Sequence, residues 1–74
     1  MKLPILSGTK VVKALMKIGF EIDHQTGSHI ILRETKEPFR RVTVPDHKSL
    51  APRTLLSILR HSGVTRQEFL KLLK

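Results

Sequence analysis

The chain has 74 residues, and 14 lysines and arginines against 6 acidic residues give it a formal net charge of +8. A domain of this size buries only about 60% of the surface that its unfolded chain exposes, which argues against a large enclosed active-site cavity. The absence of cysteine excludes disulfides and thiolate metal sites. The positive charge favours a polyanionic partner, because each neutralised phosphate releases condensed counterions.

The N-terminal apolar run from Leu3 to Leu6 is too short for a signal peptide, and no segment approaches the ~20 apolar residues of a membrane span. We therefore expect a cytoplasmic protein with no membrane partner. The basic residues are spread along the whole chain, which indicates folded basic surfaces rather than a disordered tail. The chain has no Trp or Tyr, so base stacking on an aromatic platform is disfavoured.

The first predicted helix runs from about Ser7 to Ile18. Ser7 or Thr9 is available as its N-cap, and Gly19 lies where a helix ends with positive φ. Apolar residues recur at helical spacing and predict a core-facing stripe: Val11, Val12, Leu15 and Ile18. The lysines of this segment fall on the opposite side, so the helix is amphipathic with a basic outer face.

A β-hairpin is predicted next, because Phe20 to His24 alternates apolar and polar residues. A three-residue loop, residues 25–27, would pair His24 with Ser28, Ile22 with Ile30 and Phe20 with Leu32. This register collects the large apolar residues on one face. Three second-strand residues then point to the open face of the sheet: His29, Ile31 and Arg33.

A third strand is predicted from Phe39 to Val44, after a turn at residues 35–38. Val42 and Val44 would share the core face, whereas Arg41 and Thr43 would share the open one. The open face is thus expected to gather a histidine and two guanidiniums, those of His29, Arg33 and Arg41. Such a group suits a scissile phosphate, although a solvated basic face explains the arginines equally well.

Two helices close the chain. Pro52 begins the first, which runs to Ser62 and ends at Gly63. Thr65 to Glu68 forms a capping box that starts a short last helix. We therefore predict an α+β fold in the order α-β-β-β-α, with a three-stranded antiparallel sheet and a short extra C-terminal helix.

A set of short motifs is spread along nearly the whole chain: Pro4, Ser7-Gly8, Leu15, Gly19-Phe20, Gly27-Ser28-His29, Arg33, Val42-Thr43-Val44-Pro45, His47, Thr54-Leu55, Ile58-Leu59 and Gly63. In sequence and spacing, these motifs resemble the HicA (YcfA-like) toxin family. The resemblance implies a single HicA-like toxin domain over residues 1–74 with a double-stranded-RNA-binding-domain-like fold. It also implies a metal-independent ribonuclease that cleaves mRNA and is neutralised by a HicB-type antitoxin.

The family's catalytic histidine carries over to His29, in the motif with Gly27 and Ser28. Many relatives follow it with a second histidine, where this chain has Ile30. An imidazole both accepts and donates protons near neutral pH, so His29 is the expected general acid or base, with Arg33 or Arg41 stabilising charge on the phosphate. The basic residues expected to bind RNA are Lys10, Lys13, Lys17, Arg33, Arg40, Arg41 and Lys48.

No cofactor is expected, because the acidic residues form no recognised metal-ligand cluster. A zinc site from His24 and His29 is disfavoured, since the predicted register sends them to opposite faces. His47 and His61 are expected to be surface residues of a loop and a helix.

Two other functions remain open. In the first, the domain only binds RNA and His29 is a structural turn residue. In the second, the last two helices form a helix-turn-helix for DNA around the turn at Gly63 and Val64. RNA cleavage in the presence of EDTA separates these possibilities. If the chain is a toxin, we expect the antitoxin to cover His29 and Ile31 on the open face.

Overall fold

A computed structural model describes residues 3–73 of the chain. Its elements are α1 (Gly8–Met16), β1 (Phe20–Thr26), β2 (His29–Glu34), β3 (Arg41–Pro45), α2 (Pro52–Ser62) and α3 (Arg66–Leu72). The strands form one antiparallel sheet in the order β1-β2-β3, so β2 is the central strand. The predicted α+β fold, with three strands between helices and an extra C-terminal helix, is confirmed.

The helix α1 begins where its sequence predicts but ends two residues earlier than predicted. The Ser7 side chain accepts a hydrogen bond from the Lys10 N–H at 3.3 Å, which caps the N-terminus. The helix ends at Met16, and Gly19 follows with a φ of 101°. Ile18 therefore lies beyond the last helical turn and is 42% exposed, so its predicted place in the apolar stripe is wrong. Val11, Val12 and Leu15 are buried as predicted.

One face of the sheet carries the hydrophobic core. Phe20 on β1, Leu32 on β2 and Val44 on β3 are all buried on this face. The helices α1 and α2 pack against it, and α3 packs on α1 and contributes the fully buried Phe69. Burial of apolar surface is the main stabilising term for so small a domain. The opposite face of the sheet carries no helix among the described elements.

The register of the first hairpin differs from the predicted one. The turn has two residues, Gly27 and Ser28, and Thr26 pairs directly with His29. Gly27 has a φ of 56°, the positive value that a type II′ turn needs at its first central residue. Ile22 consequently pairs with Leu32. A β-bulge at Asp23 then shifts the pairing by one residue.

The third strand is shorter than predicted. It begins at Arg41, because Phe39 adopts a φ of 57°, which is incompatible with a regular strand. Phe39 is 51% exposed. Val42 and Val44 are buried on the core face, and Arg41 and Thr43 are exposed, as predicted.

The two C-terminal helices have the predicted ends. Pro52 is the first residue of α2, and Gly63 closes it with a φ of 76°. Thr65 and Glu68 exchange two hydrogen bonds of 3.1 Å in the predicted capping box. The Thr65 backbone N–H, followed by its hydroxyl, lowers the pKa of Glu68.

Close backbone contacts tie the start of α1 to the end of β3. The Gly8 N–H donates a hydrogen bond to the His47 carbonyl at 2.9 Å, and a side chain on Gly8 would overlap the Pro45 carbonyl oxygen. The Leu50 N–H donates to the Leu6 carbonyl at 2.8 Å on the other side of the same loop. Only glycine permits this approach, so residue 8 fixes how α1 meets the sheet.

We expect Gly8→Ala to destabilise the fold by roughly 1–3 kcal/mol, because the new methyl group displaces the backbone at Pro45. Alanine is the better helix former by about 1 kcal/mol, but that gain is smaller than the cost of the overlap. Urea unfolding followed by circular dichroism measures the difference, with Lys13→Ala as the control at an exposed position of the same helix. A Gly8→Ala midpoint equal to that of the parent chain would contradict this role.

Candidate active site

His29 occupies the first position of the central strand β2. Its backbone pairs with Thr26 on one side and with Pro45 on the other. A central strand is held by hydrogen bonds along both edges, so the Cα–Cβ direction of His29 is fixed more firmly than it would be in a loop. The residue itself is exposed on the open face of the sheet.

The turn before His29 is fastened to the loop after β3. The Ser28 carbonyl accepts a hydrogen bond from the Asp46 N–H at 2.6 Å. The same loop is bonded to Gly8 through the His47 carbonyl. Lys48 lies in this loop and is exposed. Of the residues predicted to bind RNA, it is nearest in sequence to Pro45, which is the strand partner of His29.

The imidazole of His29 is unengaged. None of the side-chain hydrogen bonds within residues 3–73 involves it. Both ring nitrogens are therefore available to a ligand. An exposed imidazole on a fixed backbone is suited to transferring a proton to or from a bound molecule.

His24 lies on the same face as His29, contrary to the prediction. The bulge at Asp23 places His24 opposite Ile31, which shares its face with His29. The placement of the two histidines on opposite faces, which was the argument against a zinc site, is therefore wrong. Within residues 3–73, however, no group of three or more histidine or acidic side chains is arranged to hold a metal ion.

Ile31 lies between the two histidine positions on the open face. Its cross-strand neighbours are His24 on β1 and Thr43 on β3. The side chain is partly buried among these neighbours, and not fully exposed as the predicted register implied. Ile31 still presents apolar surface two residues along the strand from His29.

Ion pairs cross the open face at the end away from His29. Arg33 lies 3.6 Å from the Glu21 carboxylate, and Arg41 lies 3.4 Å from that of Asp23. His24 Nδ1 is 3.0 Å from the same Asp23 carboxylate. The His24 hydrogen bond, together with the positive charges of Arg41 and Arg33, lowers the pKa of Asp23 despite some burial. Asp23 is therefore the centre of this network.

The predicted gathering of His29 with Arg33 and Arg41 is only partly correct. All three residues lie on the open face, but Arg33 pairs with Arg41 while His29 pairs with Pro45. The four-residue step from His29 to Arg33 spans about 13 Å along the strand. Both arginines are also paired with carboxylates of β1. The structure brings neither guanidinium to the position of His29.

The remaining basic residues of the predicted set lie on other surfaces. Lys10, Lys13 and Lys17 line a shallow groove between α1 and the end of α3, where Lys17 donates to the Leu72 carbonyl at 2.8 Å. Arg40 lies beside the Glu34 carboxylate, which accepts its backbone N–H at 2.8 Å. Its guanidinium also lies against Gly63 at the end of α2. Arg40 thus connects β2, β3 and α2.

A groove that the sequence did not predict lies between β3 and α2. It is lined by Arg41, Thr43, Pro45, Arg53, Thr54, Ser57, Ile58 and His61. His61 is a surface residue of α2, as predicted, but it also forms part of this groove. The available signal was the helical spacing of polar residues 54, 57 and 61, which places them on one side of α2.

The fold and the site define a small basic α+β protein with an exposed histidine on the open face of its sheet. Residues 8–64 match the family model described as the HicA toxin of bacterial toxin-antitoxin systems. The chain therefore belongs to the HicA toxin family. A comparison with curated proteins finds no match. No helix within residues 3–73 has the length and apolar character needed to cross a membrane.

The ion pairs of Asp23 predict a pH-dependent contribution to stability. Because the pKa of Asp23 is lowered in the folded chain, its contribution is complete above about pH 4 and is lost as the pH falls through the folded pKa. Asp23→Asn should therefore lower the urea midpoint at neutral pH, and the gap to the parent chain should close on acidification. Asp46→Asn is the control, because it raises the net charge by the same amount and Asp46 forms no ion pair within residues 3–73. A gap that stays constant with pH would contradict the assignment.

Proposed function

We propose that this toxin is an endoribonuclease that cleaves mRNA in the cytoplasm, with His29 as the general acid or base. The observation that carries the proposal is the unengaged imidazole at the start of the central strand, where pairing on both sides fixes its backbone. Membership of a toxin family supports a growth-inhibiting activity. The net charge of +8 supports a nucleic acid as the substrate.

The proposed chemistry uses the substrate's own nucleophile. His29 accepts the proton of the RNA 2′-hydroxyl as the 2′-oxygen attacks the neighbouring phosphorus. The bond from that phosphorus to the 5′-oxygen of the next nucleotide breaks, and the leaving 5′-oxygen takes a proton from water or from the protonated imidazole. DNA lacks this hydroxyl and is spared. Since the imidazole supplies the proton transfer, the reaction requires no metal ion.

The charge that develops on the phosphate needs a cationic partner. Arg33 and Arg41 lie toward the far end of the strands and are paired with Glu21 and Asp23. Lys48 is the better candidate, because its loop follows Pro45 and is fastened to Ser28 beside the histidine. We propose that Lys48 contributes to phosphate stabilisation at the cleavage position and that Arg33 and Arg41 act in RNA binding.

Inhibition by a HicB-type antitoxin is proposed to occur on the same face. Ile31 offers apolar surface beside His29, and Arg33 and Arg41 offer positive charge farther along. An acidic antitoxin surface would be attracted by the charge and held by contact with Ile31. A partner placed there buries His29 and excludes RNA sterically.

We expect His29→Ala to reduce RNA cleavage by about 10²–10⁴-fold, the usual loss when a general acid or base is removed. The assay follows single-stranded RNA on denaturing gels in the presence of EDTA, beside growth inhibition in cells. His24→Gln is the matched control, because it removes the neighbouring imidazole on the same face and keeps a hydrogen-bonding side chain near Asp23.

A folded His29→Ala chain that cuts RNA at the parental rate would refute the catalytic role. Equal losses in His29→Ala and His24→Gln would assign the effect to the shape of the face and not to proton transfer by His29. Parental protein that binds RNA without cutting it would make the domain a binding module.

We expect Ile31→Asp, made in the His29→Ala background, to weaken antitoxin binding at least tenfold, mainly through faster dissociation. Surface plasmon resonance with the cognate antitoxin measures both rates. Ile22→Asp is the matched control: Ile22 is 51% exposed but pairs with Leu32 on the opposite face.

Circular dichroism checks first that both isoleucine variants fold. Unchanged binding by a folded Ile31→Asp chain would rule out masking of the open face. Loss of binding only in Ile22→Asp would place the antitoxin on the helical side of the sheet.

A further inference from the structure

A groove of about 480 Å³ lies between β3 and α2. Its strand wall is formed by the open-face residues Arg41, Thr43 and Pro45. Its helix wall is formed by residues that recur on one side of α2, together with Arg53 at the start of the helix: Arg53, Thr54, Ser57, Ile58 and His61. This volume is within the usual range of about 300–1,000 Å³ for small-molecule sites, which is sufficient for a nucleotide.

The direction of the groove follows from the reversal of the chain between β3 and α2. Pro45 ends the strand and Arg53 is the second residue of the helix, so both lie at one end of the groove. The start of β3 lies beside the end of α2, because the Arg40 guanidinium lies against Gly63. Arg41 and His61 therefore form the other end. The groove runs along the strand, parallel to the direction from His29 toward Arg33.

The lining of the groove is suited to an anion. Two guanidiniums, those of Arg41 and Arg53, border it, and no acidic side chain within residues 3–73 lines it. Arg53 has no ion pair among these residues. Arg41 contacts Asp23 through one nitrogen, but its side chain is 61% exposed and keeps other donors available. Planar guanidiniums bind phosphate oxygens with paired hydrogen bonds.

The rest of the lining also fits a sugar–phosphate backbone. The hydroxyls of Thr43, Thr54 and Ser57 can donate to phosphate and sugar oxygens, which make up most protein contacts to nucleic acid. Among the described residues the groove has no Phe, Tyr or Trp, and its one aromatic ring is the imidazole of His61 at the far end, so it offers at most one small platform for stacking a base. Only Pro45 and Ile58 are apolar, whereas protein partners depend on apolar anchors. The lining therefore favours RNA over an acidic protein segment.

The groove begins close to the proposed catalytic residue. Pro45, which lines its near end, is the direct cross-strand partner of His29. Neighbouring strands lie about 4.8 Å apart, so the near end is one strand spacing from the backbone of His29. An RNA strand with its scissile phosphate at His29 can continue directly into the groove.

We propose that this groove is an RNA subsite that holds the phosphates and sugars next to the cleaved bond, with Arg53 as a principal phosphate contact. The proposal rests on the proposed function, since it places the cleaved bond at His29. The subsite contributes affinity and sets the path of the strand. Arg41 has a second role here beside its ion pair with Asp23.

The test measures RNA affinity without cleavage. Arg53→Gln is made in the His29→Ala background, and binding of a short fluorescently labelled single-stranded RNA of mixed sequence is measured by anisotropy at several salt concentrations. We expect roughly tenfold weaker binding, with the slope of log affinity against log salt reduced by about 1. Arg53→Lys should restore part of the affinity as a point charge.

Arg66→Gln is the matched control, because Arg66 is an exposed arginine at the start of α3 and does not line the groove. It should leave the RNA affinity and the salt slope within about twofold of the background chain. Arg53 is exposed near the start of its helix, so its substitution should preserve the fold, which circular dichroism checks.

Equal RNA affinity in the Arg53→Gln and Arg66→Gln chains would overturn the subsite. Unchanged RNA binding with weakened antitoxin binding in Arg53→Gln would also overturn it and assign the groove to the protein partner. The cleavage assay tests the proposed function separately, because a His29→Ala chain that still cuts RNA at the parental rate would refute it. Weaker RNA binding in Arg53→Gln would support the groove even in that case, since the assay does not depend on catalysis.

Discussion

The close approach of α1 to the end of β3 is the constraint on which the site depends. Gly8 packs its backbone against Pro45 and bonds to the carbonyl of His47, and the same loop bonds through Asp46 to the turn before His29. The helix, the third strand and the histidine turn are thus connected through backbone groups alone. Such bonds tolerate variation in side chains, so the position of His29 depends on chain geometry more than on the identity of its neighbours.

Local signals in the sequence were sufficient for the elements of the fold. Ser7, Pro52, Gly63 and the capping box at Thr65 mark helix ends through hydrogen bonds or backbone angles that act within a few residues. The register of the hairpin, in contrast, is not fixed by signals within a few residues of the turn. The predicted register differed from the observed one by two residues between Ile22 and Leu32, and an even shift keeps every side chain on its face. The open face was therefore predicted correctly for β2 despite the wrong partners.

The alternation of residues along a strand predicts which side chains share a face, but it does not predict the distances between them, on which the arrangement of the site depends. Alternation indicates that His29 and Arg33 share a face, but not that the arginine is bound to Glu21 at the far end. The bulge at Asp23 reverses the face of His24, and no residue type in that strand marks it, because neither glycine nor proline is present. The groove beside β3 combines a strand with a helix, so its lining follows only from their packing.

The bulge has a further consequence for the edges of the sheet. A regular edge strand offers a row of unpaired N–H and C=O groups on which another chain can extend the sheet. Here β1 is an edge strand whose ladder is interrupted at Asp23, a charged residue between Ile22 and His24. The other edge, β3, runs beside α2. The bulge makes β1 an irregular template for a foreign strand, which disfavours pairing of two chains at that edge while the open face remains accessible.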